Sequence, residues 1–303
     1  IDVETLQQGE SGAIVLDRTP FYAESGGQAG DRGVLRVGST EFRVNDTQYL
    51  ANKVIAHIGE VVSGELQAGN EVEAEVDRLA RGDCAANHSV THLTHAALKI
   101  VLGEHVQQKG SQVMAERMRF DFSHFEPVTS EEIRRIEDIV NEQIRANLPV
   151  ETAVMALDEA KARGAAALFG EKYDSNVRVV EMGDFSLELC GGTHVSATGD
   201  IGLFKILSET GIAAGVRRIE VLTGQAAMDQ VHAEHDALKQ VMARLNTTPE
   251  GVGEKLEALV QQNRNLTRKL QTAQSQLAMA GSQGGGNDPA GLDRALEEVK
   301  AHL

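Results

Sequence analysis

"LARGDCAANHSVTHLTHAALKIVLG", residues 79–103, reads as one long helix closed by Gly103. Inside it, "ANHSVTHLTH" (86–95) places three histidines within eight residues. Side chains four apart share a helix face, so His88 and His92 present two imidazoles together. Almost a hundred residues later, "ELCGGTH" (188–194) offers a thiolate at Cys190 and a third imidazole at His194. The two glycines between them let the backbone turn tightly around an ion. His88, His92, Cys190 and His194 make a borderline-soft donor set suited to tetrahedral zinc, the one cofactor expected.

Two neighbours compete with these ligands. Cys84 lies four before His88, and His95 three after His92. Cys84 is two turns from His92, so Cys84, His88 and His92 do not easily converge on one ion. Cys84 reads as a small buried apolar residue and His95 as a hydrogen-bonding helix residue. Ser89 stands where His-Glu-x-x-His zinc peptidases carry their general base, so peptidase chemistry is not expected.

Outward from this helix the chain reads as α+β. Before it, "GAIVLD" (12–17), "GVLRV" (33–37), "TEFRV" (40–44), "KVIAHI" (53–58) and "EVEAEVD" (71–77) are short strands with Gly and Asn punctuation. Their spacing predicts a small β-barrel-like domain over residues 1–80. After it, "SQVMAERMRFDFS" reads as a hairpin. "TSEEIRRIEDIVNEQIRANL" reads as an amphipathic helix capped by Thr129 or Ser130, with an apolar stripe from Ile133 to Ile144. Strands follow at "VETAVMA", "VRVVEM", "IGLFKILSE" and "VRRIEVLTG", completing a zinc-containing domain over 81–224. Over 225–280, Leu256, Asn263, Leu270 and Leu277 fall seven apart, with Leu259, Leu266 and Ala273 as companions. Val231, Leu238 and Leu245 form an earlier series, and "NTTPEGVG" separates the two. An antiparallel helical hairpin, with homodimerisation through it, is expected because each stripe alone is short. Residues 281–303 read as a Gly-rich linker and a short terminal helix.

The chain has 303 residues and a net charge of −16, which argues against a nonspecific nucleic-acid binder but leaves room for a local basic patch; no DNA partner is expected. No apolar run reaches the ~20 residues that span a bilayer. The start "IDVETLQQGE" has no signal-peptide pattern and no Met, and two cysteines make no disulfide framework. A cytoplasmic protein with reduced thiols is expected. A second glycine-rich stretch, "FYAESGGQAGDRG" (21–33), lacks the Lys-Ser/Thr ending of a P-loop. It reads as a loop where a ligand approaches the backbone at Gly26, Gly27 and Gln28, or as a strand-connecting turn.

Together "FYAESGGQAGDRG", "NHSVTHLTHAAL", "HVQQKGS", "RFDFSH", "ALFGEKY", "ELCGGTHV", "TGDIGLFKI" and "GIAAGVRRIE" resemble the editing region of alanyl-tRNA synthetase and its free-standing editing relatives. The match covers nearly all of residues 1–224, in the family's order, and the 225–280 hairpin looks like the start of that enzyme's C-terminal region. The resemblance implies hydrolysis of Ser-tRNA and Gly-tRNA specific for alanine. Serine adds a hydroxyl to alanine and glycine removes a methyl, and each difference is worth only ~1–3 kcal/mol to a synthetic pocket. By the family's pattern His88, His92, Cys190 and His194 are the zinc residues. Gln108, a candidate to orient the aminoacyl end or the water, and Cys190 are the candidate catalytic residues. Thr91 and Thr193 are candidates to read the serine hydroxyl. Arg32, Lys109, Arg217 and Arg218 are the candidate phosphate contacts. The family's aminoacylation domain and globular C-terminal body are not matched, so no ligase activity is expected of this chain alone. The competing expectation is a tRNA-binding, dimerising module with a purely structural zinc.

Overall fold

The computed structural model describes residues 3–166 and 174–283. The "ALFGEKY" stretch at 167–173 and the tail from 284 onward, with its expected terminal helix, lie outside these residues. The described residues divide into two compact units between Gln230 and Val231.

In the first unit, β1 (Thr5–Gln7), β2 (Ser11–Val15), β3 (Gly33–Val37), β4 (Thr40–Tyr49), β5 (Ile55–Ser63), β6 (Glu65–Gln67) and β7 (Glu73–Val76) come first. Five of them form an antiparallel sheet in the order β2-β5-β4-β3-β7, over a core of Phe21, Leu35, Phe42, Val44, Val61 and Leu66. The barrel expected here is not formed. β1 pairs with β6 in a separate ribbon, and β2 and β7 remain edge strands of an open sheet. Strand spacing is the same for open and closed sheets; closure requires the outermost strands to pair.

α1 (Arg78–Leu102) follows, its first turn capped by the Asp77 carboxylate, which accepts from Leu79 N and Ala80 N. This cap satisfies two backbone donors that have no partner inside the helix. β8 (Gln108–Val113) and β9 (Met118–Ser123) form the expected hairpin. α2 (Ser130–Ala146) carries a full capping box between Thr129 and Glu132. Then come β10 (Val150–Ala156), α3 (Leu157–Ala162), β11 (Asn176–Met182), β12 (Ser186–Leu189), β13 (Phe204–Ala213) and β14 (Val216–Thr223). The strands build a four-stranded sheet, β13-β14-β9-β8, and a three-stranded one, β10-β11-β12. Leu93 and Leu98 of α1, Ile136 and Val140 of α2, and Phe120, Phe122 and Val221 of the larger sheet share one buried core. α1 is therefore held between sheets, and every residue from Cys84 to His95 is buried.

α4 (Gly224–Leu245) and α5 (Val252–Gln283) are joined by a short 3-10 turn at Pro249–Gly251, so the two predicted helices are present. Their seam positions remain open: Leu238 is 39% exposed and Leu256 52%. No described helix is long and apolar enough to cross a membrane.

Candidate metal centre

Buried on α1, Asn87, His88, Ser89, His92 and His95 each meet a polar partner from another element. His88, His92, Cys190 and His194 converge, one donor atom of each lying within 4.8 Å of the others. Cys190 Sγ is 3.3 Å from His88 Nε2 and 3.3 Å from His194 Nε2. His92 Nε2 is buried and has no hydrogen-bond partner. A buried ring nitrogen left bare beside a thiol and two imidazoles is what a metal ligand looks like before its ion, so the cluster can hold a metal ion.

The outward nitrogen of each imidazole is tied. His88 Nδ1 donates to Gln28 Oε1 at 2.6 Å, and Thr193 N donates to the same oxygen at 2.9 Å. His92 Nδ1 is 2.6 Å from Glu188 Oε2. His194 Nδ1 is 3.1 Å from Ser89 Oγ, which also accepts from Val195 N. Thus Ser89 is a strut for the opposite arm of the site. Arg178 of β11 donates to the carbonyls of Cys190 and Gly192 and shapes the Cys-Gly-Gly-Thr-His turn. Only one of its glycines is demanded by close approach. A Cβ on Gly192 would lie 2.1 Å from the His88 ring, whereas Gly191 has open space.

Burial, the strongest influence on the Cys190 thiol, opposes ionisation, but contacts with His194, His88 and His92 outweigh it and hold its pKa far below the ordinary thiol range. His194 is pushed down to about 4 chiefly by burial, which together with the neighbouring imidazoles outweighs the raising effect of its contact with Cys190. His92 moves the other way: burial lowers it, but Glu188 and the nearby thiolate raise it further. A thiolate and neutral imidazoles are the ligating forms.

Cys84 stands apart. It is buried against the Val113 carbonyl and outside the cluster, and burial pushes its thiol up to about 12. His95 hydrogen-bonds as expected, through Nδ1 to Glu188 Oε1 at 2.8 Å.

The remaining predicted residues fall around this centre. Gly26 and Gly27 turn with positive φ, and a Cβ on Gly27 would meet the Ser111 carbonyl at 2.5 Å. That turn delivers Gln28 to His88. Gln108 Nε2 bonds Ser111 Oγ at 3.2 Å, one residue's reach from the same turn. Thr193 accepts from Gln28 Nε2 at 2.9 Å, while Thr91 Oγ donates back to the Asn87 carbonyl of its own helix. Arg217 is paired at two points with Glu209, and Arg218 with Asp121 at 2.7 and 2.8 Å. Arg32 meets Glu116 at 3.0 Å, and Lys109 reaches Gln107 Oε1 at 3.4 Å. Sequence reading missed Glu188 and Arg178 as site residues. The signal available for Glu188 was its place two before Cys190 in a strand pattern, hence on the same face.

A thiolate and three imidazoles delivered by a long helix and a turn after a strand define the class. The family model described as "Threonyl and Alanyl tRNA synthetase second additional domain" matches residues 177–220, which carry Cys190 and His194. The model described as "tRNA synthetases class II (A)" matches residues 2–80. The chain is similar, at 57% identity over 99% of its length and 34% of the relative's, to alanine–tRNA ligase of Idiomarina loihiensis. It is 54% identical, over 92% of its length and 32% of the relative's, to alanine–tRNA ligase of Nitrosococcus oceani. It spans about a third of the length of these curated relatives. The resemblance carried by its motifs is thereby shown: nearly the whole chain corresponds to a segment of alanine–tRNA ligase.

Proposed function

We propose that this chain is the proofreading part of an alanine–tRNA ligase and hydrolyses the ester of Ser-tRNA and Gly-tRNA specific for alanine. The observation that carries this reading is the buried His88–His92–Cys190–His194 cluster lying in a segment 57% identical to that enzyme. Zinc fits the donor set of one sulfur and three nitrogens, and it supplies Lewis acidity for an ester carbonyl, a water or an α-amino group when bound. His88 and His92 are held by acceptors and keep their Nε2 lone pairs on the cluster. His194 is held by the Ser89 hydroxyl, and the four residues together would hold the ion. Gln108, reached through Ser111, orients the aminoacyl end. The Thr193 hydroxyl is the nearer candidate for the serine side chain, because Thr91 is committed to its helix backbone. Arg32, Lys109, Arg217 and Arg218 remain the candidate phosphate contacts; Arg32, Arg217 and Arg218 would each have to exchange a carboxylate for a phosphate. Homodimerisation through the helical hairpin of α4 and α5 and a cytoplasmic location complete the proposal.

A second reading, a tRNA-binding module with structural zinc, is favoured by the four-donor set, since closed sites are structural ones. Deacylation time courses on Ser-tRNA and Ala-tRNA, both of the alanine-specific tRNA, with zinc-loaded protein separate the two. Rapid loss of serine with alanine spared supports proofreading. No hydrolysis of either ester by folded, zinc-loaded chain supports the second reading.

A further inference from the structure

We propose that Glu188 and His95 are a positioning pair for the metal centre: Glu188 is the buried carboxyl group that orients His92, and His95 is the clamp that holds Glu188 there. This rests on the metal reading of the cluster and not on the deacylase reading.

Glu188, on β12, is only 8% exposed. Its two oxygens face two imidazoles of α1, His92 at 2.6 Å and His95 at 2.8 Å. An ionised carboxylate can only accept, so both Nδ1 atoms carry hydrogens. Nε2 is then the nitrogen of His92 turned to the cluster, and it is buried without a partner. Glu188 therefore decides which nitrogen of His92 is offered to the ion.

The three imidazoles differ in what backs them. His88 rests on an amide oxygen and His194 on a hydroxyl, both neutral. Only His92 is backed by a carboxylate, and that carboxylate is shared with a second imidazole. Replacing Glu188 by its amide would set an NH2 group against one of the two Nδ1–H donors, so one ring would lose its acceptor. His95 joins no ligand set among the described residues. Its Nε2 is buried without a partner and its ring tilts against Phe120, so its one polar contact is the bond to Glu188. A buried ring nitrogen left unsatisfied carries a cost, and the bond made by Nδ1 is what the site gains in exchange.

The test is zinc affinity by competition with a chromogenic chelator, on the full chain, with the visible spectrum of the cobalt-substituted protein as a second readout. Glu188→Gln should weaken zinc binding about 10- to 100-fold and alter the cobalt bands while circular dichroism stays that of the parent. His95→Ala should weaken it about 10-fold. His95→Asn, which returns an N–H donor near the Nδ1 position, should recover most of that loss. Parent-like affinity in Glu188→Gln overturns the proposal. If Glu188→Gln does not fold, the His95 pair decides: equal affinities for Ala and Asn overturn it, and recovery by Asn supports it. A parent chain that binds no zinc overturns the metal reading itself, and this inference with it.

Discussion

Gln28 and His88, far apart in the chain, are joined by a 2.6 Å hydrogen bond from the His88 Nδ1–H to the Gln28 amide oxygen. Thr193 N donates to the same oxygen, which sets the orientation of the amide and hence the tautomer of the imidazole. One fully buried glutamine thus links the glycine-rich turn, α1 and the Cys-Gly-Gly-Thr-His turn. Gln28→Ala removes the acceptor and leaves Thr193 N unpaired. It should lower stability by about 1–3 kcal/mol and zinc affinity by about 10-fold, measured by urea unfolding and chelator competition.

The two neighbouring glycines should respond very differently to the same methyl group. Gly192→Ala would push a Cβ into the His88 ring and the Gln28 amide, whereas Gly191→Ala meets nothing within 4 Å. The first should destabilise by at least the ~1–3 kcal/mol typical of overpacking and weaken metal binding. The second should leave both near the parent. Paired thermal melts with and without zinc check this; equal effects would refute it.

The two thiols should differ in reactivity. In zinc-free protein at neutral pH, Cys190 should be alkylated by iodoacetamide well before Cys84, because neighbouring imidazoles favour its thiolate while burial holds the Cys84 thiol up to about 12. Zinc should protect Cys190. Peptide mass mapping of the modified sites reads both outcomes. Faster labelling of Cys84 would contradict the assignment.

His57 should make the fold acid-sensitive. It is buried, bonded to Thr19 Oγ1 at 2.7 Å and to the Ile14 carbonyl at 2.9 Å, and burial lowers its pKa below 6.5, outweighing the bond to Ile14. As pH falls below 6.5, the unfolded chain takes up a proton that the folded chain refuses, so folding stability drops until the lowered folded pKa is passed. Above 6.5 this contribution does not change with pH. Urea midpoints between pH 7 and 5 should fall less steeply in His57→Gln than in the parent. Parallel slopes would remove His57 as a source.

Much of this was legible in the chain. The α1 histidines, the Thr129 capping box, the β8–β9 hairpin and the four donor residues follow from local rules of spacing and capping that act within a few residues. The open first sheet was not legible, because closure depends on which distant edges meet, and β1 took β6 instead. Nor were the ion pairs of Arg217 and Arg218 visible, since Glu209 and Asp121 become neighbours only through strand pairing across β13-β14-β9.

The sequence by itself determined the donor set: His88 and His92 share a helix face at any tertiary arrangement, and Cys190 and His194 share a turn. Only the tertiary structure decided what those donors face. Gln28, Ser89 and Glu188 reach the three imidazoles through space, and a hydrogen bond from outside selects which ring nitrogen faces the cluster. Spacing along the chain carries no information about that choice, because it is made by groups that meet only when the sheets close over α1.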